Sequence, residues 1–144
     1  MIKIALCDDN EVERRLLRKI VTAVLQELHQ EVLIVEFSSG EKLQRNFSRG
    51  DYDLIFMDAA KGQYLSFLPE VLRLLKPGGL LVSDNVLQDG DIMESRYAVT
   101  RRNRTIHSRM RDYLYELKHH PELTTAILPV GDGVAVCTKR SLPV

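Results

Sequence analysis

Charge of one sign is what this sequence lacks: 20 Lys and Arg are matched by 20 Asp and Glu, giving a formal net charge of zero. No whole-molecule field therefore points to nucleic acid or an anionic membrane as a partner, and any electrostatic function has to be local. No apolar run approaches the ~18 residues that a membrane span needs. No charged-then-apolar leader opens the chain either, so a soluble cytoplasmic protein is expected. Cysteine is scarce. Cys7 and Cys137 lie far apart inside apolar, strand-like runs, where a thiol serves as a small buried hydrophobe, and no disulfide is expected. No repeat, low-complexity tract or linker divides the 144 residues, the length of one domain. No partner is required by this composition, and it leaves the oligomeric state open.

Six short apolar runs carry the fold: 2–7, 32–37, 52–58, 79–86, 124–130 and 133–139. The first four are continuous rather than alternating, as in parallel strands covered on both faces. Between them, 11–28 sets Val12, Leu16, Ile20, Val24 and Leu28 on one helical stripe, and Asn10 with Glu13 has the spacing of a capping box. A short helix is predicted over 40–48. Another is predicted to stop at "KPGG" (76–79), with Pro69 starting it near Phe67 or kinking it, and a long helix is predicted over 94–120. "VGDGV" (130–134) reads as a tight turn joining an antiparallel pair. The expectation is a single doubly wound, three-layer α/β domain over 1–144, with strand order 2-1-3-4-6-5 and the last strand antiparallel.

That topology sets the ends of the first, third and fourth strands side by side, collecting Asp8, Asp9, Asp58, Asp84 and Asn85 at one switch point. Crowded carboxylates raise one another's pKa and call for a hard cation, so these five are the candidate ligands of a weak Mg²⁺ site.

Up to Asp58 the chain resembles the receiver domain of two-component response regulators, in particular the LytTR-associated branch with its flavodoxin-like fold. The resemblance is carried by "IKIALCDDN", the helix after it, "VEFSSGEKL" and "YDLIFMD". It implies Mg²⁺ on Asp8 and Asp9 and a phosphoacceptor at Asp58, with the carbonyl of Ala60 as a further ligand and Ser83 at the hydroxyl position after the fourth strand. The receiver's "D-x-x-M-P" continuation and its later Lys are absent.

From residue 52 onward the chain is similar to the C-terminal half of class I, cation-dependent O-methyltransferases. "YDLIFMDAAKGQY", "LLKPGGLLVSDNVLQDG", an Arg-rich helix and "ILPVGDGVAVCTK" carry this second resemblance. It implies Asp58, Asp84 and Asn85 as metal ligands and Lys61 as a substrate-facing base, here vestigial. The methyl-donor half of that family has a Gly-rich first turn, and an acid ending its second strand. Here the turn is "CDDNEVE" and the nearest acid is Glu36. S-adenosylmethionine is therefore not expected, and no cofactor-binding residue is assigned. Taken together, the two resemblances imply an engineered hybrid without turnover, receiver-derived over about 1–51 and methyltransferase-derived over about 52–144, joined in the strand 52–58.

The remaining chemistry-bearing residues have plainer readings. Arg96, Arg101, Arg102, Arg104, Arg109 and Arg111 read as a solvated helix face, so nucleic acid is not expected to bind. His107, His119 and His120 have no partner at metal-ligand spacing. Tyr97, Tyr113 and Tyr115 are expected to pack helix against sheet.

Overall fold

The computed structural model describes residues 1–45, 50–58, 63–87 and 104–141, the last segment from 104 to 107 by its backbone alone. Six strands and four helices occur among them. The strands are β1 (Ile2–Asp8), β2 (Val32–Phe37), β3 (Tyr52–Asp58), β4 (Leu75–Asp84), β5 (Leu123–Leu128) and β6 (Val134–Lys139), and the helices are α1 (Glu11–Glu27), α2 (Gly40–Gln44), α3 (Tyr64–Leu74) and α4 (Arg104–His119). The sheet has the order β2-β1-β3-β4-β6-β5. Neighbours among the first four strands pair in parallel, whereas β6 runs antiparallel to both β4 and β5. The predicted α/β architecture and strand order are the observed ones.

One face of the sheet carries the main core. There α3 contributes Phe67, Leu68, Val71 and Leu72, and α4 contributes Met110, Tyr113 and Leu117, against Ile55, Leu81, Ala135 and Cys137 of the strands. Ile55 and Leu81 are fully buried, and each such side chain contributes about 1.5–3 kcal/mol relative to exposure. Both cysteines are buried and free. The other face carries a smaller cluster, Ile4, Leu6 and Ile34, with Leu17, Val21 and Leu25 of α1 packed against it.

α1 buries a different face from the stripe that its sequence displays. The stripe Val12, Leu16, Ile20, Val24 and Leu28 is not buried: these side chains are 77, 58, 52, 48 and 61% exposed. The helix has two apolar faces, and its arginines decide between them. Arg14 and Arg18 both reach Glu36 on β2, and Arg14 also donates to the Asp8 carbonyl at 2.7 Å. Those contacts bring Leu17, Val21 and Leu25 onto the sheet. Accordingly, Leu16→Gln is expected to stay within about 0.5 kcal/mol of the wild type. Leu25→Ala should cost about 1–2 kcal/mol, a contrast that urea unfolding midpoints will read directly.

The helix boundaries differ from the sequence reading in two further ways. α3 begins at Tyr64, runs through Pro69 and ends at Leu74, just ahead of "KPGG", and those four residues lie inside β4. A Cβ on Gly79 would lie 2.8 Å from the Lys76 carbonyl oxygen and 3.2 Å from that of Tyr52, and Gly78 has φ +83°. These glycines let the β4 backbone enter beside β3 through the register shift between Tyr52 and Leu54. α2 ends at Gln44, and the predicted remainder over 46–48, like the 94–103 part of the long helix, lies outside the described residues.

Candidate functional site

Parallel pairing makes Asp8 and Asp58 register partners at the tips of β1 and β3, and Asp84 ends β4 beside them. Asp8 is 3% exposed, Asp58, Asp84 and Asn85 are half-buried, and Asp9 is exposed. One oxygen each of Asp8, Glu13 and Asp58 lies within 4.8 Å of the others. Glu13 is the residue that sequence reasoning missed, because its spacing from Asn10 matched a capping box. Asn10 does cap α1, accepting from the Val12 and Glu13 amides at 3.0 and 3.2 Å. Its own N–H donates to Asp8 Oδ1 at 2.8 Å, which meets that donor with Asp8 in place of the Glu13 side chain.

The β4 end is shaped by Asn85, whose φ of +57° places it in the left-handed region. Few residues other than glycine adopt that conformation, Asn among them. It brings the Asn85 amide to Asp84 Oδ1 at 2.8 Å and the Asn85 Nδ2 to Asp58 Oδ1 at 3.2 Å. The Tyr64 hydroxyl lies 3.2 Å from the Asp84 carbonyl oxygen and 3.5 Å from Asp58 Oδ1. Ser83 and Tyr113, both buried, share a 2.6 Å hydrogen bond just beneath.

Lys61, the predicted base, and Ala60 lie outside the described residues, as do Arg96, Tyr97, Arg101 and Arg102 and the side chains of Arg104 and His107. Tyr115 is 64% exposed and stacks on His119 instead of packing on the sheet. Glu36 is held by Arg14 and Arg18. Burial works to raise its carboxyl, but the hydrogen bonds from Arg18 and Arg14 outweigh that and hold it below the usual range.

Burial pushes the Asp8 carboxyl up to about 6, against the Asn10 N–H and with help from the charges of Asp58, Glu13 and Asp9. Asp58 is raised in the same way, burial again leading. A carboxyl raised on folding binds its proton more tightly in the native state than in the unfolded chain. Its contribution to stability is therefore complete below the unfolded value of ~4. It is lost as pH rises through the folded value of about 6. In chelator, the melting temperature of the wild type should fall relative to Asp8→Asn between pH 4 and 7, and Mg²⁺, which favours the anionic form, should close that gap. Parallel melting profiles of the two proteins would show the Asp8 carboxyl to be solvated.

Hard oxygen donors that run from the buried Asp8 through the half-buried Asp58, Asp84 and Asn85 amide to the exposed Glu13 suit a divalent cation such as Mg²⁺ that keeps some of its waters. The same negative charge suits a cationic ligand.

The family description "O-methyltransferase" matches residues 11–140. A caffeoyl-CoA O-methyltransferase from Eucalyptus gunnii is 32% identical over 108 residues, covering 72% of this chain and 42% of that protein. Caffeoyl-CoA O-methyltransferase 1 of Arabidopsis thaliana is 33% identical over 98 residues, covering 65% and 37%. The chain thus spans about two fifths of the length of these plant proteins. Among solved structures, a Staphylococcus aureus protein assigned as a caffeoyl-CoA O-methyltransferase superposes with a TM-score of 0.68 at 26% identity, over 96% of this chain and 76% of that one. An SAH-bound methyltransferase from Podospora anserina shares the fold, with a TM-score of 0.68 at 19% identity over 96% and 72%.

These findings overturn the hybrid reading. The match begins at α1 and includes β2, the elements assigned to a receiver, and it crosses β3 without a seam. The phosphoacceptor role at Asp58 loses its ground with the receiver. So do engineered origin, the expected lack of turnover and the exclusion of S-adenosylmethionine. The local resemblance rests on an acid pair after β1 and an Asp ending β3, positions at the switch point that doubly wound sheets of unrelated function share. From α1 to β6, the chain belongs to the O-methyltransferase family.

Proposed function

We propose that this chain is the catalytic unit of a divalent-cation-dependent O-methyltransferase, which transfers the methyl group of S-adenosylmethionine to a phenolic hydroxyl of the caffeoyl type. The observation that carries this reading is the meeting of Asp58, Asp84 and Asn85 at the ends of β3 and β4, with Asn85 Nδ2 3.2 Å from Asp58, in a chain of this family. Those three residues would hold the cation, which supplies Lewis-acid activation of the hydroxyl oxygen. Asp8 and Asp9 supply negative charge for the cationic donor, and Glu36 stands at the ribose position, its carboxylate fixed by Arg14 and Arg18. The plant relatives' name supports the choice of acceptor. No described helix is long and apolar enough to cross a membrane.

Calorimetric titration tests the reading at its least conventional point, the glycine-free turn. S-adenosylmethionine should bind with micromolar affinity, weakened by Asp8→Lys. Absence of any binding heat in the presence of Mg²⁺ would refute it.

A further inference from the structure

The acidic edge has a neighbour whose role nothing above assigns. Tyr64 opens α3, is 2% exposed, and places its hydroxyl among three oxygens from two strands: the Asp84 carbonyl at 3.2 Å, the Met57 carbonyl at 3.4 Å and Asp58 Oδ1 at 3.5 Å. Asp58 Oδ1 also accepts from Asn85 Nδ2. The one hydroxyl proton of Tyr64 is shared among these acceptors, with the Asp84 carbonyl nearest and Asp58 Oδ1 at the limit of hydrogen-bond reach. The ring is fixed from behind by Tyr113, edge to face at a centroid distance of 5.2 Å, and Tyr113 is itself anchored to Ser83 on β4. A buried phenol could have pointed its hydroxyl at solvent or at one carbonyl. Here it ties the ends of β3 and β4 together at the point where the candidate ligands leave them.

We infer that Tyr64 is a positioning residue of the cation site: its hydroxyl, seated between the tips of β3 and β4, sets their separation, so that Asp58, Asp84 and Asn85 present a preformed set of oxygens. This rests on the proposed cation dependence. Ligand-orienting hydrogen bonds of this kind are typically worth about 10- to 100-fold in metal affinity. The aromatic ring alone supplies the packing, so the role resides in one oxygen atom.

Mn²⁺ titrations of the wild type, Tyr64→Phe and Tyr113→Phe separate the possibilities. Tyr64→Phe keeps the ring against Tyr113 and should weaken Mn²⁺ binding roughly tenfold or more. Tyr113→Phe removes the Ser83 hydrogen bond and lowers the melting temperature, yet should retain the wild-type affinity. Addition of Mg²⁺ should also perturb tyrosine absorbance in the wild type and in Tyr113→Phe but not in Tyr64→Phe, a signature that mere packing would not produce. Equal affinities of wild type and Tyr64→Phe, or losses in both variants that track their lost stability, would overturn the role of Tyr64. A wild type that binds no Mn²⁺ would instead refute the cation-dependent reading on which it rests.

Discussion

Asp58→Asn is expected to lower both divalent-cation affinity and methyl transfer by roughly two orders of magnitude or more, while raising the melting temperature of the cation-free protein. The opposite signs are the diagnostic feature. Asp58 lies within 4.8 Å of Asp8 and Glu13, and burial together with Asp84, Glu13 and Asp9 works against its ionisation. Removing its charge relieves repulsion that the fold otherwise tolerates, and the isosteric amide keeps the contacts to Asn85 and Tyr64 within reach. A functional site that stores unfavourable electrostatics is stabilised by being disabled. If Asp58→Asn lowered thermal stability in chelator and left cation affinity intact, the carboxylate would be a structural hydrogen-bond acceptor and nothing more. Thermal melts with and without Mg²⁺, paired with an initial-rate assay, resolve the two.

Gly133→Ala should cost about 2–4 kcal/mol of stability and impair the site although it lies on another turn. Gly133 has φ +87°, and a Cβ there would lie 2.3 Å from Leu87 Cγ and 2.7 Å from Leu87 Cβ. The collision is with the root of that side chain, which cannot swing aside. Moreover the Gly133 and Asp132 carbonyls accept from the Val86 and Leu87 amides at 3.2 and 2.8 Å, so the β5–β6 turn holds the chain just past Asn85. Displacing it moves the left-handed Asn85 and with it the donor to Asp58. Unfolding in urea gives the stability term, and a fall in cation affinity out of proportion to it would report the transmitted shift. A Gly133→Ala protein as stable as wild type would mean that this turn yields freely.

The strands were legible because buried parallel strands need continuous apolar runs, and right-handed crossovers then left few ways to order them. Where two signals competed, the sequence was ambiguous. α1 has leucines and valines on two faces, and only the three-dimensional position of Glu36 shows which one the arginines pull inward. "KPGG" has the composition of a helix stop, yet its glycines serve a close backbone approach between β3 and β4 that no local pattern announces. Glu13 was hidden in the same manner, since an acid three residues after an N-cap has a ready local explanation. The misjudged front half has the same origin. The acids after β1 were read through one motif, whereas their chemistry, negative charge at a switch point, is equally suited to a cation and a sulfonium. The tips of β3 and β4 were read correctly as a meeting place, because Asp58, Asp84 and Asn85 sit at the ends of strands whose adjacency the topology required.

Methyl transfer at this acidic edge is expected to require a divalent cation. Mass spectrometry of a caffeoyl-type phenol incubated with the chain, S-adenosylmethionine and Mg²⁺ tests it most directly. The expected product is heavier by one methyl group, formed with Mg²⁺ and suppressed by chelator. Acceptor that stays unmodified at every cation concentration, or methylation that proceeds equally well in chelator, would contradict it.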